Sequence, residues 1–350
     1  MSIFHRLNHP ILKMARRRRG VYTILFITGI MCILVLLEIA TTDKHSWIYK
    51  VLPWFSLKGL PPCGCNRCVT DDDDPWFTKR FDASHKTFLT RNNALSERDF
   101  RWWKNLQFGN KAFPTYRMAE MKVFEIFPQQ ESFMDSSPDR CRTCAVVGNS
   151  VNLLGSQYGP LIDFHDVIMR FNTARTVGYE GDVGNKTTLH IMYPESAVDL
   201  DDHTHLILFP FKIRDLEWLV SAFTTKSVKM TYRRIKSTVK ANQGLRLILS
   251  SSCTQVKVLY PGFIQYVHEN WLGKKGRYPS TGFMGVVLAM HICDEVSVFG
   301  FGADKDGNWR HYWEELRNKH YGTGPHGGGQ EYKRILELAK RKKLNFYRGF

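Results

Sequence analysis

CAVVGNSVNLLGSQYGPLIDFHDVIMRFN at residues 144–172 and RYPSTGFMGVVLAMHICDEVSVFGFGAD at residues 277–304 decide the fold. Each joins a short apolar run to a turn built of Gly, Asn and Ser. An apolar strand ending in such a turn can hold a polar, phosphorylated ligand against backbone amides, so the pair points to a nucleotide pocket. Outward from these stretches the pattern repeats. Short runs rich in Val, Ile, Leu and Phe predict strands over residues 145–147, 167–170, 189–192, 206–209, 256–259, 296–299 and 344–347. Helical periodicity falls between several of them, over 215–223, 263–271, 283–292 and 330–342. The alternation predicts an α/β chain with a largely parallel sheet. Ligands on such sheets gather at the strand C-terminal ends, where Gly148-Asn149-Ser150 and Gly300-Phe301-Gly302 fall. The plainer reading is that these glycines only terminate strands. Ser280-Thr281-Gly282 leads straight into a helical pattern. Its amides and the positive end of the helix dipole can face an anion there, and the glycine permits close approach.

The amino-terminal end carries a different signal. Residues 21–40 form an apolar run broken only by Glu38, long enough to cross a bilayer core of roughly 30 Å. Ahead of it lie Arg6, Lys13, Arg16, Arg17, Arg18 and Arg19 with no acidic residue, and the positive-inside rule keeps such a flank in the cytosol. The expected layout is a cytosolic tail over 1–20, a signal anchor over 21–40, a stem over 41–60 and a lumenal catalytic domain over 61–350. A cleaved signal peptide is the rival, but its apolar core usually runs only about 7 to 15 residues.

A formal net charge of +16 resembles a nucleic-acid footprint, yet six positive charges sit within residues 1–20. The rest is dispersed, densest at 340–343, and no RNA- or DNA-binding motif goes with it, so no nucleic-acid partner is expected. An anionic substrate would itself favour a basic surface. The acidic run at 71–74 precedes Pro75 and reads as a solvated turn. Asp304-Lys305-Asp306-Gly307-Asn308 opens like a calcium loop and has Glu315 in the twelfth position, but its glycine is fourth rather than sixth and it follows a strand. No metal site is expected there.

Cys32 lies in the apolar run, and Cys63, Cys65, Cys68, Cys141, Cys144, Cys253 and Cys293 lie beyond it. In the cytosol their Cys-x-Cys-x-x-Cys and Cys-x-x-Cys spacings would suggest zinc or redox chemistry, whereas beyond a membrane they read as a disulfide framework. Any six of these seven allow about 15 pairings, and spacing does not choose among them. Asn185-Lys186-Thr187 is an N-glycosylation sequon.

The two deciding stretches closely resemble the large and small sialyl motifs of the animal sialyltransferases. RYPSTG at 277–282, GNWRHYWE at 307–314 and the Cys63, Cys65, Cys68 cluster resemble the β-galactoside α-2,3 branch, whose members act on Galβ1-3GalNAc. The resemblance runs from about Pro62 to the C-terminus. It implies a Rossmann-like variant of the glycosyltransferase A type, with a mostly parallel sheet flanked by helices in a single catalytic domain. It also implies disulfides joining Cys63 to Cys68, Cys65 to Cys141 and Cys144 to Cys293, with Cys253 left over. By the same resemblance, Asn149, Ser150, Asn172, Ser280, Gly282 and Gly302 hold the cytidine and ribose of a CMP-sialic acid donor. Tyr232, Tyr278 and His311 reach its phosphate, and Gln107 and Tyr193 meet the acceptor. Each of these types also has a bland use; Asn149 or Asn172 can simply satisfy turn amides. A single-pass Golgi membrane protein with a lumenal catalytic domain and no cofactor is implied.

Of thirteen histidines, His311 and His326 stand out. A histidine in water titrates near pH ~6.5, so a neutral imidazole is available to accept a proton. A lone histidine is usually structural or merely exposed. His326, however, sits in Gly324-Pro325-His326-Gly327-Gly328-Gly329 just before a helical pattern, a suitable place for a base that must meet an incoming sugar. The resemblance implies His326 as general base, with Glu331 in the matching acidic position. The implied reaction moves sialic acid from CMP-sialic acid to the 3-hydroxyl of terminal galactose in Galβ1-3GalNAc, on glycoproteins or glycolipids, with inversion. His311, Tyr232 and Tyr278 would stabilise charge on the departing CMP, and protein donors would replace a divalent metal.

The chain also departs from the family. Val151 replaces a glycine that many members carry, Arg310 replaces a histidine common in close relatives, and roughly ten extra residues fall around 244–254, an insertion surface loops tolerate. These departures sustain a rival reading, a catalytically inactive, membrane-anchored sugar- or nucleotide-binding relative. An oxidoreductase is disfavoured because no Gly-x-Gly-x-x-Gly follows the first strand.

Overall fold

The structure, a computed structural model, describes residues 63–71, 74–107, 109–127, 139–201, 203–224, 256–317 and 321–350, and of Gln107 the backbone alone. The expected anchor and stem, Tyr232, Cys253 and the extra residues around 244–254 lie outside the described residues. Among the described residues no helix is long and apolar enough to cross a membrane.

Seven strands form one sheet: β1 (Thr143–Val147), β2 (Val167–Phe171), β3 (Leu189–Met192), β4 (His205–Leu208), β5 (Val256–Val258), β6 (Glu295–Phe299) and β7 (Asn345–Tyr347). Every pair is parallel, in the order β5-β4-β3-β2-β1-β6-β7. A parallel sheet needs cover on both faces, and the strand sequences supply it by alternation. Cys144 and Val146 of β1 enter the main core, whereas Ala145 and Val147 join a second cluster with Leu153, Ile162, Ile168, Val183, Phe299 and Tyr312.

The longer helices are α1 (Glu97–Trp103), α2 (Phe113–Ile126), α3 (Ile213–Phe223), α4 (Pro261–Tyr266), α5 (Thr281–Ile292) and α6 (Gly328–Lys340). TGFMGVVLAMHI in α5 is apolar on almost every side, which suits a central helix rather than a surface one. It lies across β1, β2, β3 and β6. The chain therefore runs outward from β1 to β5, returns through α5, and adds β6 and β7 on the other side of β1. That reversal creates a switch-point crevice beyond the C-terminal ends of β1 and β6.

Three disulfides join Cys63 to Cys68, Cys65 to Cys141 and Cys144 to Cys293, with Cα separations of 6.2, 4.6 and 6.0 Å. The last ties β1 to the C-terminal cap of α5, so it fixes the two elements whose ends build the crevice.

Two local expectations need correction. The helix expected over 263–271 is regular only to Tyr266; Val267–Trp271 is a wider π turn closed by a Leu272 N–H to Val267 carbonyl bond of 3.3 Å. The extra residue in the turn accompanies a fully buried Trp271, whose ring meets Phe77 at 5.9 Å and Trp76 at 6.4 Å. Asp74, expected in a solvated turn, instead caps the short helix Pro75–Thr78, accepting from the amides of Trp76 (2.8 Å) and Phe77 (3.1 Å). It also pairs with Arg341 at 2.7 Å, which lowers its pKa through that hydrogen bond.

Candidate active site

At the crevice the loops after β1 and β6 approach so closely that a side chain on Gly148 could not fit: a Cβ there would stand 2.3 Å from the Gly300 carbonyl oxygen. Ser150 bridges the same two loops, its amide donating to the Gly300 carbonyl (3.0 Å) and its hydroxyl to that of Gly302 (2.8 Å). Gly302 has φ +108°, a backbone state open in practice to glycine, and lies against the Tyr332 ring. Val151 opens the 3-10 turn Val151–Leu153 and is absent from the residues with positive φ, so its departure from glycine costs the turn no strain.

Around these loops lies a cleft of about 680 Å³, within the range usual for small-ligand sites. Asn149, Ser150, Asn172, Tyr193, Tyr278, Ser280, Gly282, Gly302, His311 and His326 all line it. Of the other expected site residues, Tyr232 and the Gln107 side chain lie outside the described residues. Phe211, Lys212, Glu195, Trp309 and Tyr332 also line the cleft. Sequence reading applied the strand-end rule to β1 and β6 only; extended to the YPES after β3 and the PFK after β4, it would have found Glu195, Phe211 and Lys212.

The end of the cleft lined by Asn149 and Asn172 is polar and pre-set. Asn149 donates its side-chain amide to the Phe171 carbonyl at 3.2 Å, while its Oδ1, shut from water, has no hydrogen-bond partner among the described residues. A shielded acceptor of this kind awaits a donor. Asn172 sits at φ +56° and is held twice, by the Ser196 hydroxyl donating to its Oδ1 (2.9 Å) and by His190 Nε2 at 2.6 Å from its carbonyl oxygen. Burial pulls the His190 imidazole down to about 4, so it stays neutral and its one N–H donates to that carbonyl.

Ser280 caps α5, accepting from the Phe283 amide at 3.1 Å. Glu331 in turn accepts from the Ser280 amide (2.7 Å) and hydroxyl (2.6 Å). Burial pushes the Glu331 carboxyl up, against the pull of those two hydrogen bonds. The start of α5 and the start of α6 are thereby clamped at the cleft floor, with the Gly282 Cα side facing Phe301.

The glycine-rich segment before α6 delivers His326. Its Nδ1 lies 3.1 Å from the Tyr278 carbonyl oxygen and its ring stands edge-on to the Tyr278 ring at 5.0 Å. A carbonyl only accepts, so Nδ1 carries a proton, which in the neutral ring leaves the lone pair on Nε2. The Arg277 amide donates to the Pro325 carbonyl at 3.0 Å, tying the same segment to the RYPSTG stretch. His311 pairs through Nδ1 with Glu314 at 2.9 Å and stacks on Trp313 at 4.7 Å, while a bridge to Ser150 fixes its backbone. Arg310 is held by Asp304 (3.5 Å) and the Glu314 carbonyl (3.1 Å). The Asp304 carboxylate also accepts from the amides of Asp306 (3.0 Å) and Asn308 (2.8 Å), the inward-turned geometry of an Asx turn.

A switch-point cleft lined by two imidazoles and by the capped start of α5 defines an α/β protein built to hold a polar ligand at its strand ends. The sequence model described as Glycosyltransferase family 29 (sialyltransferase) matches residues 88–343. Among relatives, the chicken CMP-N-acetylneuraminate-beta-galactosamide-alpha-2,3-sialyltransferase 1 is 43% identical over 295 residues, covering 82% of each chain. The human sialyltransferase of the same name is 42% identical over 296 residues, covering 82% of this chain and 83% of the other. A crystal structure of a mammalian sialyltransferase superposes with a TM-score of 0.72 at 40% identity, covering 83% of this chain and all of that one. A second, of a mammalian sialyltransferase in complex with Gal-beta-1-3GalNAc-ortho-nitrophenol, gives a TM-score of 0.71 at 39% identity over 83% of this chain. The chain belongs to glycosyltransferase family 29, the sialyltransferases, and its sheet is that family's variant of the glycosyltransferase A-like fold.

Proposed function

We propose that this enzyme transfers sialic acid from CMP-sialic acid to the 3-hydroxyl of the terminal galactose of Galβ1-3GalNAc. The observation that carries the reading is the His326 imidazole, whose Nδ1 is spent on the Tyr278 carbonyl and whose ring lines the cleft. The Nε2 lone pair takes the proton of the attacking hydroxyl as the bond from galactose O3 to the anomeric carbon forms. The bond from that carbon to the CMP phosphate oxygen breaks on the opposite face, so configuration inverts. Asn149, Ser150, Asn172, Gly282 and Gly302 hold the nucleoside. His311, Tyr278 and Tyr232 meet the charge that grows on the departing phosphate. Gln107 and Tyr193 bind the acceptor.

CMP leaves with one phosphate, and side-chain donors suffice to neutralise it without a divalent metal. A type II membrane protein of the Golgi fits the basic tail and the apolar run at 21–40, with residues 61–350 lumenal. Asn185, which is exposed, then serves as an N-glycan acceptor.

Incubating the full-length protein in detergent with CMP-sialic acid and Galβ1-3GalNAc tests the reading. The expected result is an α-2,3-sialylated disaccharide with one CMP released per transfer, formed equally well with EDTA. Nucleotide binding without product would favour the inactive-relative reading.

A further inference from the structure

The turn Pro194–Ser196 after β3 gives adjacent side chains different duties. Ser196 holds Asn172 through its hydroxyl, on the nucleotide side, while Tyr193 and Glu195 line the cleft. Glu195 Oε1 lies 2.6 Å from Lys212 Nζ, and the same Nζ lies 2.6 Å from Asp215 Oδ1. Asp215 is 0% exposed, and its Oδ2 accepts from the amides of Phe211 (2.7 Å) and Lys212 (3.2 Å) at the start of α3. Asp215 thus fixes Lys212, and Lys212 fixes Glu195.

That arrangement leaves one atom unexplained. Glu195 Oε2 is shielded from water and has no hydrogen-bond partner among the described residues. A shielded carboxylate oxygen without a donor is unfavourable until one arrives. Glu195 lines the cleft and its side chain is 24% exposed, so a ligand held there can bring a donor to the carboxylate. Beside it runs a row of rings: Tyr193 meets Phe211 at 5.7 Å, Phe211 meets Tyr278 at 5.6 Å, and Tyr278 meets His326 at 5.0 Å. A carboxylate beside aromatic rings suits a neutral polyol, whose hydroxyls donate and whose C–H faces pack on rings.

We infer that Glu195 is a specificity-determining residue for the acceptor: its Oε2 accepts a hydrogen bond from an acceptor hydroxyl other than the one that reacts. Lys212 is its positioning residue. The inference rests on the sialyl-transfer reading above for the identity of the sugar. A site built around a hydroxyl donor rejects the analogue that lacks it, because the buried acceptor is left unpaired.

The test compares wild type with Glu195→Gln and Glu195→Ala, full-length in detergent, against Galβ1-3GalNAc and its monodeoxy analogues. Acceptor KM should rise about 10- to 100-fold in both variants, with donor KM within about twofold of wild type. One deoxy analogue should bind wild type poorly, and the variants should no longer distinguish it from the parent sugar. An unchanged acceptor KM overturns the inference. So does a donor KM that climbs in step, because that is the signature of a shifted turn dragging Asn172 through Ser196. Saturation-transfer NMR of disaccharide binding in the presence of CMP reads Glu195 without turnover. A wild type that binds disaccharide but makes no product therefore sinks the transferase reading alone, while equal binding by wild type and Glu195→Gln sinks this one.

Discussion

His326 is pinned by Tyr278 at two points, its Nδ1 3.1 Å from the Tyr278 carbonyl oxygen and its ring edge-on at 5.0 Å. The backbone contact selects the tautomer and the ring contact sets the plane of the imidazole. Tyr278→Phe preserves both and removes only the hydroxyl proposed to meet the charge growing on the departing phosphate, so kcat should fall about tenfold with acceptor KM nearly unchanged. Tyr278→Ala also removes the ring and should cut kcat by a further ~10-fold through misorientation of the base. Steady-state kinetics with both substrates varied separates the two effects.

Glu331 caps the cap. Its carboxylate accepts from both the amide and the hydroxyl of Ser280 and is only 6% exposed. Glu331→Gln replaces one charge-assisted acceptor with an amide donor, which should destabilise the domain by about 1–3 kcal/mol. Thermal melting and donor KM should shift together; a melt unchanged within about 1 °C, far less than such a loss produces, would contradict the assignment.

The Cys144–Cys293 bridge closes a long loop between β1 and the end of α5. Cys144→Ala with Cys293→Ala should lower stability by about 2–5 kcal/mol. Denaturant titration measures it, with peptide mapping to verify that the remaining two bridges persist.

His190 gives a pH dependence whose sign is fixed. Burial draws its folded-state value down to about 4, below the ordinary histidine value, so the unfolded chain binds more protons between about pH 4 and 6.5. Its contribution is intact above about pH 6.5 and is lost as pH falls toward 4, an upper bound of roughly 3 kcal/mol. His190→Gln, which can still donate to the Asn172 carbonyl, should flatten the fall of Tm across that window. A parallel pH profile in wild type and variant would count against the buried neutral imidazole.

Much of the frame was legible from residues alone. Strands such as VIMRF in β2 are short, branched and bounded by turns, so their positions follow from local pattern; all seven expected strands are present. The crevice followed from where Gly148-Asn149-Ser150 and Gly300-Phe301-Gly302 end their strands. The strand order, with β6 beside β1, was not legible, because pairing between residues 152 apart in sequence, such as Thr143 and Glu295, leaves no local trace. Glu195 and Lys212 were within reach of the strand-end rule, since they follow β3 and β4, but their pairing was not, because only the packing of β3 beside β4 brings them to 2.6 Å. The π turn at Val267–Trp271 escaped because what accompanies it, the seating of Trp271 against Phe77, is a contact between remote segments.

The central claim is that His326 is the base for an acceptor hydroxyl in a cleft that binds CMP independently of it. Turnover and CMP affinity of His326→Ala, measured on the same preparation, test it most directly. The account predicts turnover lower by about 10²- to 10⁴-fold with CMP affinity unchanged by calorimetry. Turnover equal to wild type would contradict it.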